Sequence, residues 1–322
     1  MPERGYELVT IPRLPFPRRL NRAALAFPKA WRATVEQVRG IFRDRKVDVV
    51  VGFGGYAAAP AYRAAHLEKL PLALHETNAK PGFANRLGAR WTRFVGVTFA
   101  STTLPHATFV GLPLRREIEQ LDLPPARAEG RAFFHLDHRK PTLLVTGGST
   151  GAQRLNQSVS ASVAAILGSG WQVLHITGSR SPVVDPHFDG YHILEYCDRM
   201  DLALAATDLA VSRAGGTLAE LAALGIPAVL IPYAAGNGEQ AYNAQDAVHA
   251  GGAMVVTDAA FTPEYVQNEL PALLRDRARI ADMAARMASV GVRDGADRMV
   301  DLVIAARDSG TSKRQVDRKS VV

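Results

Sequence analysis

Cysteine is almost absent from this chain: Cys197 is the only one. No disulfide can close within the chain, which fits a reducing compartment. Long apolar runs are missing as well. None approaches the ~18–20 residues that a membrane-spanning helix needs. The opening Met1-Pro2-Glu3-Arg4 does not begin a secretory signal. Together these absences predict a soluble, cytosolic protein. There is no short-period repeat, which argues against a solenoid. There is no G-x-x-x-x-G-K-[ST] loop, which argues against a P-loop nucleotide site. No convincing Asp-x-Asp metal motif is placed after a strand.

What is present is an apolar chain with unevenly placed charge. At 322 residues, 47% hydrophobic and 21% charged, it can bury two cores of ordinary size. The net charge is +7. Residues 1–46 hold eleven Lys and Arg against four acids, an excess as large as that of the whole chain. The basic face is therefore local and should attract something anionic.

Apolar strands alternate with helical patterns, the signature of an α/β fold with parallel sheets covered by helices. Strands are predicted at 48–52, 70–74, 92–96 and 107–110. A second series follows at 142–146, 172–177, 191–194, 209–212, 228–231 and 253–256. Residues 119–140, with Leu123-Pro124-Pro125 and Asp137-His138-Arg139-Lys140, interrupt the rhythm and read as a connection. The expected organisation is an N-terminal domain over 1–118, a linker over 119–140 and a C-terminal domain over 141–293. A helix over 294–307, packing back on the first domain, and a disordered tail over 308–322 complete it.

Two glycine turns stand out. Thr142–Gln153 reads as a buried strand, a turn with Gly147, Gly148 and Gly151, and a helix start. Backbone N–H groups at a helix start favour an anion by roughly 0.3–1 kcal/mol, so the turn fits a phosphate cradle. It fits equally an ordinary tight turn with Ser149 or Thr150 as N-cap. The spacing is not G-x-G-x-x-G, and the next strand ends at Thr177-Gly178 without an acid for a ribose, which argues against NAD. The second turn is Ser212–Pro227, a strand end followed by Gly215-Gly216 and a short helix stopped by Gly225 and Pro227. Thr217 and Glu220 have capping-box spacing. A carboxylate at that place also suits the two hydroxyls of a ribose.

These segments resemble the MurG family of UDP-N-acetylglucosamine transferases, over nearly the whole chain. The matching motifs are Val50–Tyr56, Leu74–Asn78, Gly111–Arg115, Gly147–Ala152, Arg213–Pro227 and Gln240–Ala244. Any one is weak alone; six in order are specific. The resemblance implies a GT-B architecture, two Rossmann-like domains facing a cleft. It also implies transfer of GlcNAc from UDP-GlcNAc to lipid I, giving lipid II and UDP with inversion and without metal or other cofactor.

Carried over by position, the resemblance makes Gly147, Gly148, Ser149 and Gly151 the diphosphate turn, with Arg115 adding charge. It gives Gly216, Thr217, Leu218 and Glu220 to the donor, with Glu220 on the ribose. The backbone at Cys197 would read the uracil edge and Gln240 the sugar hydroxyls. Asn78 would meet the sugar from the other domain, and Gly54, Gly55 and Tyr56 would lie on the acceptor side. Each has a plainer reading. Arg115 fits a surface arginine, Gln240 and Asn243 fit helix caps, His75 and Glu76 fit a satisfied turn, and Tyr56 fits a packing residue.

Phe16, Leu20, Leu25, Phe27 and Trp31 alternate with Arg18, Arg19, Arg22, Lys29 and Arg32. Such a mixture suits an anionic membrane surface, at ~1 kcal/mol per cation. The predicted place is the cytoplasmic face of a bacterial membrane. Trp31, Val35, Val38 and Phe42 recur at helical spacing and read as a core stripe. Nucleic acid is not expected, because no nucleic-acid motif accompanies the charge.

The chain departs from the family pattern at its start. The family opens with a strand and a Gly-Gly-His loop, and no such segment precedes Val50. The expectation is therefore a fragment or a misplaced start codon. The catalytic base is left unnamed, with His75 and Glu76 as the remaining candidates. The Gly215–Glu220 segment is one residue short of the pattern, and Ala57-Ala58-Ala59 replaces more polar residues. A non-catalytic UDP-sugar-binding fragment, or a related transferase with another lipid acceptor, is the alternative.

Overall fold

The computed structural model describes residues 5–14, 16–17, 22–148, 152–233 and 238–319; of 22–23 and 311–319 it describes the backbone alone. Arg18, Arg19, Leu20, Ser149 and Gly151 therefore lie outside the described residues, as does the side chain of Arg22. The chain forms two compact units. The first takes residues 1–98, 102–110 and 297–322, and the second 99–101 and 111–296.

The first unit holds a parallel sheet of β1 (Val50–Gly52), β2 (Leu72–Glu76), β3 (Phe94–Val97) and β4 (Ala107–Phe109), in that spatial order. The sequence reading starts the second strand at Leu70, but pairing begins at Leu72, opposite Val50. Pro71 has no amide to give, and its carbonyl instead accepts the Val50 N–H at 2.9 Å. The strand also runs on through His75 and Glu76, both fully or nearly buried. Glu76 is tolerated inside because both its carboxylate oxygens accept hydrogen bonds, as shown below.

The helix Arg22–Asp44 carries the stripe read from the sequence. Val35 and Val38 bury against Ala64 of the helix Ala58–Leu67, with Trp31 and Phe42 partly covered beside them. Each full burial of such a side chain is worth about 1.5–3 kcal/mol. Tyr62 fills the centre of the unit. A Cβ on Gly52 would sit 2.0 Å from its ring and one on Gly88 2.5 Å, so both positions need glycine. Met299 and Ala306, on the helix Gly295–Lys319, bury with Ala73 of β2. That helix assignment runs past Arg307, where the sequence reading ends it.

The second unit holds β5 (Thr142–Thr146), β6 (Gln172–Ile176), β7 (Tyr191–Leu194), β8 (Leu209–Ser212), β9 (Ala228–Leu230) and β10 (Ala253–Val255). Their spatial order is β10-β9-β8-β5-β6-β7, parallel throughout. Every residue of β5, β6 and β8 is buried, which is why they read as continuous apolar runs. Trp171, fully buried before β6, donates its indole N–H to the Leu274 carbonyl at 2.7 Å. Residues 116–119 and 123–133, at and beyond the expected start of the connection, are helical and belong to this unit. A single late helix over 263–276 is expected but two form, Pro263–Asn268 and Leu270–Arg275. Pro271 cannot donate to a continuing helical ladder, so the helix restarts at Leu270.

Candidate functional site

The strand order of the second unit reverses at one place. From β5 the chain steps outward through β6 to β7, then returns to the other side of β5 for β8. A crevice opens at such a switch point, beyond the C-terminal strand ends. Thr146 and Ser212, the last residues of β5 and β8, are register partners. Both glycine turns leave from these two adjacent strand ends. Gly148 has φ +86° and its N–H donates to the Thr146 hydroxyl oxygen at 3.3 Å. That left-handed backbone favours glycine.

After β8 the chain turns through Ala214-Gly215 into the helix Gly216–Ala223. Its N-cap is Gly215 and no side chain caps it. The capping box read from Thr217 and Glu220 does not form. Glu220 instead reaches Arg115, whose Nη2 donates to Oε1 at 3.2 Å. The Glu220 side chain is only 14% exposed, and burial raises its carboxyl pKa, with Arg115 opposing the rise. Thr217 is half-buried and Gly216 exposed. Leu218 is fully buried, so only its backbone can face a ligand.

Two more side chains converge on the second turn. Asn243, buried, donates Nδ2 to the Ala214 carbonyl at 3.2 Å. Gln240 accepts the Tyr233 N–H on Oε1 at 2.9 Å, and its Nε2 lies 4.0 Å from where a Cβ on Gly215 would stand. Neither the helix Glu239–Asn243 nor Gln245–Ala250 has a side-chain cap, so these two amides are turned toward the β8 turn instead. Cys197 lies beyond β7 in the wall of a cavity of about 570 Å³, with Phe133, Phe134, Tyr191 and His192. Burial pushes its thiol pKa up, so the thiol stays protonated and unreactive near neutral pH.

In the first unit the candidates gather at the C-terminal ends of β1 and β2. Gly54 and Gly55 both have positive φ, +79° and +82°. Tyr56 is exposed and lies under the Arg13 guanidinium, 5.6 Å from ring centroid to Cζ. Glu76 commits both carboxylate oxygens. Oε1 accepts the Asn78 N–H at 3.0 Å, and Oε2 accepts the Gly82 N–H and the Asn85 Nδ2, both at 2.9 Å. His75 is fully buried, with the Phe53 ring 5.8 Å away. Glu76 is thus an anchor for the 77–82 loop, and His75 is closed off from solvent. Asn78 is half-buried, and its carbonyl accepts the Thr102 hydroxyl at 3.3 Å.

Two residues that the sequence reading missed tie this end together. Tyr62 accepts the Gly54 N–H at 3.2 Å and donates to Asn85 Oδ1 at 2.7 Å. Asn85 also donates to the His75 carbonyl at 3.0 Å. One buried pair therefore links the glycine loop to the Glu76–Gly82 loop. No spacing in the sequence marks them, because they act from helices through the core.

The N-terminal aromatics form a cluster. Phe16 lies 5.1 Å from Phe27, 5.6 Å from Trp31 and 4.4 Å from Phe83, centroid to centroid. Phe83 and Leu25 are mainly exposed, as are Lys29 and Arg32. Phe83 also escaped the sequence reading, since it lies some fifty residues from the basic stretch.

Two family models match the chain: the glycosyltransferase family 28 N-terminal domain over residues 1–97 and its C-terminal domain over 142–299. A protein of Leifsonia xyli subsp. xyli named "UDP-N-acetylglucosamine--N-acetylmuramyl-(pentapeptide) pyrophosphoryl-undecaprenol N-acetylglucosamine transferase" is 58% identical over 304 residues, covering 94% of this chain and 85% of that one. A protein of the same name from Clavibacter sepedonicus is 55% identical, over 99% and 87%. Among solved structures, MurG of Acinetobacter baumannii superposes with a TM-score of 0.73 at 26% identity, over 87% of this chain and 80% of that one.

Proposed function

The chain belongs to glycosyltransferase family 28, among the MurG transferases, and from that premise we propose how its residues serve the reaction. It is a UDP-GlcNAc-dependent N-acetylglucosaminyltransferase that acts on lipid I to give lipid II and UDP. In the inverting reaction the 4-hydroxyl of the MurNAc forms the new bond to C1 of GlcNAc. The C1–O bond to the β-phosphate breaks, UDP leaves with that electron pair, and the hydroxyl proton passes to a base.

The second unit takes the donor. What carries this reading is the paired glycine turns at the β5/β8 switch point, with Arg115 and Glu220 beside the second. Backbone N–H groups at the two helix starts and the Arg115 guanidinium stabilise the charge that grows on the leaving UDP. Arginine suits that work because its planar fork matches phosphate oxygens. Glu220 accepts the ribose hydroxyls, Gln240 the sugar hydroxyls, and the backbone at Cys197 the uracil edge. Gly54, Gly55 and Tyr56 serve the acceptor, and Asn78 meets the GlcNAc sugar. Glu76 holds these loops, with both its oxygens accepting hydrogen bonds.

Among the described residues no helix is long and apolar enough to cross a membrane. The Phe16–Phe27–Trp31–Phe83 cluster with Lys29 and Arg32 supports a peripheral contact with an anionic membrane surface, where a lipid-linked acceptor resides.

Incubation with UDP-GlcNAc and a lipid I analogue tests the assignment. Equal yields of disaccharide-linked lipid and UDP are expected. UDP binding without transfer would instead favour a UDP-sugar-binding protein.

A further inference from the structure

Asp258 lies in the loop that follows β10, outside every motif read from the sequence. It nevertheless touches both walls of the switch-point crevice. Its Oδ1 stands 2.6 Å from Arg213 Nη1, and Arg213 is the first residue of the second glycine turn. Its Oδ2 stands 3.7 Å from Arg154 Nε, and its carbonyl accepts from Arg154 Nη1 at 3.4 Å. Arg154 is in the first turn of the helix Gln153–Ser160, which leaves the other glycine turn.

The contacts continue from Arg213. Its guanidinium donates to the Ile231 carbonyl at 3.0 Å and lies over the Tyr233 ring, 5.5 Å from the centroid. The Tyr233 N–H in turn holds the Gln240 carboxamide. The Arg213 side chain is 10% exposed and that of Asp258 19%. A charge so enclosed needs its counter-charge to stay in place. Asp258 is the only carboxylate that the ion pairs of the described residues bring to Arg213.

We propose that Asp258 is a positioning residue of the donor site. It pairs with Arg213 and Arg154 at once, and so sets the spacing between the Arg213–Gly216 turn and the helix Gln153–Ser160, and the placing of Gln240. The proposal rests on the reading of the second unit as the donor domain. Asp258 touches no substrate in this scheme. Removing its charge frees Arg213 to turn away, and the Ala214–Gly216 backbone and Gln240 lose their support. Small misplacements of this kind are felt in ligand affinity and rate.

The test uses the full chain with Asp258→Asn, Asp258→Glu and Arg154→Gln. UDP binding is followed by calorimetry, and UDP-GlcNAc and lipid I analogue kinetics and thermal midpoints are measured alongside. Asp258→Asn is expected to raise KM for UDP-GlcNAc about tenfold and to weaken UDP binding in parallel, with KM for the acceptor unchanged. Asp258→Glu should recover most of the loss. A wild-type KM for UDP-GlcNAc in Asp258→Asn, even with a lowered thermal midpoint, would overturn the proposal. Should Asp258→Asn not fold, Arg154→Gln decides, because Arg154 is half-exposed. A two- to threefold rise in its donor KM is expected on about the same grounds, and no rise overturns the proposal. Failure of the unaltered chain to bind UDP strikes the donor reading itself, separately from any effect of the variants.

Discussion

Arg115 and Glu220, 105 residues apart in sequence, meet at 3.2 Å beside the second glycine turn. One is the cation assigned to the diphosphate and the other the carboxylate assigned to the ribose. Their contact replaces the capping box that Thr217 and Glu220 spell in the sequence. A carboxylate that caps its own helix is spent locally. One held by an arginine across the turn remains available to a ligand that brings its own hydroxyls and phosphates.

Glu220→Gln should therefore separate binding from stability. The folded carboxyl has a raised pKa, because burial favours its neutral form more than Arg115 favours the charged one. A raised folded pKa means its contribution to stability is present at low pH and is lost as pH rises through that value. At neutral pH the glutamine variant should melt no lower than the wild type. Its KM for UDP-GlcNAc should rise at least about tenfold, the cost of losing a charged hydrogen-bond acceptor. Donor affinity of the wild type should fall on acidification through the Glu220 pKa, and the variant should lack that fall. Calorimetry with UDP between pH 4.5 and 8 checks both.

Tyr62→Phe removes one hydroxyl and leaves the ring between Gly52 and Gly88. The Gly54 N–H and Asn85 Oδ1 each lose a partner. The expected loss of stability is about 1–2 kcal/mol by urea unfolding. Lipid I analogue KM should rise more than KM for UDP-GlcNAc, since the network holds the Gly54–Tyr56 loop of the acceptor side directly and reaches Asn78 only through Asn85 and Glu76. An equal rise in both would refute that division of labour.

His175 is buried between Tyr191 Oη at 2.6 Å and Asn156 Oδ1 at 3.1 Å. Desolvation lowers its pKa to about 4. A base whose folded pKa lies below its unfolded one stabilises the fold above the unfolded value, and that stability drains away as pH falls toward the folded pKa. Between pH 6.5 and about 4 this group alone should remove on the order of 3 kcal/mol. Unfolding free energies of wild type and His175→Gln, measured at pH 7.5 and 4.5, should converge at the lower pH.

The aromatic cluster gives a prediction for lipid binding. Phe83→Ser, at a largely exposed ring, should leave the thermal midpoint within about 2 °C. Flotation with vesicles rich in anionic lipid should drop several-fold, and the wild-type interaction should weaken with added salt. Unchanged flotation of the variant would place the membrane contact elsewhere.

The sequence by itself determined the α/β class, the two-part organisation, the place of most strands and the two glycine turns. Those features rest on local signals: continuous apolar runs for buried strands, and glycine where φ must be positive. Six short motifs in order determined the family. Only the tertiary structure decided which polar side chains meet. Glu220 could cap its helix or reach Arg115, Gln240 and Asn243 could cap a helix or turn to Gly215 and Ala214, and Glu76 could face the site or anchor a loop. Each choice depends on partners from distant segments: Arg115 for Glu220, Tyr233 for Gln240, Ala214 for Asn243 and Asn85 for Glu76. Tyr62, Asn85, Phe83 and Asp258 carry no spacing of their own, because each contact is set by where the folded chain brings two distant groups together.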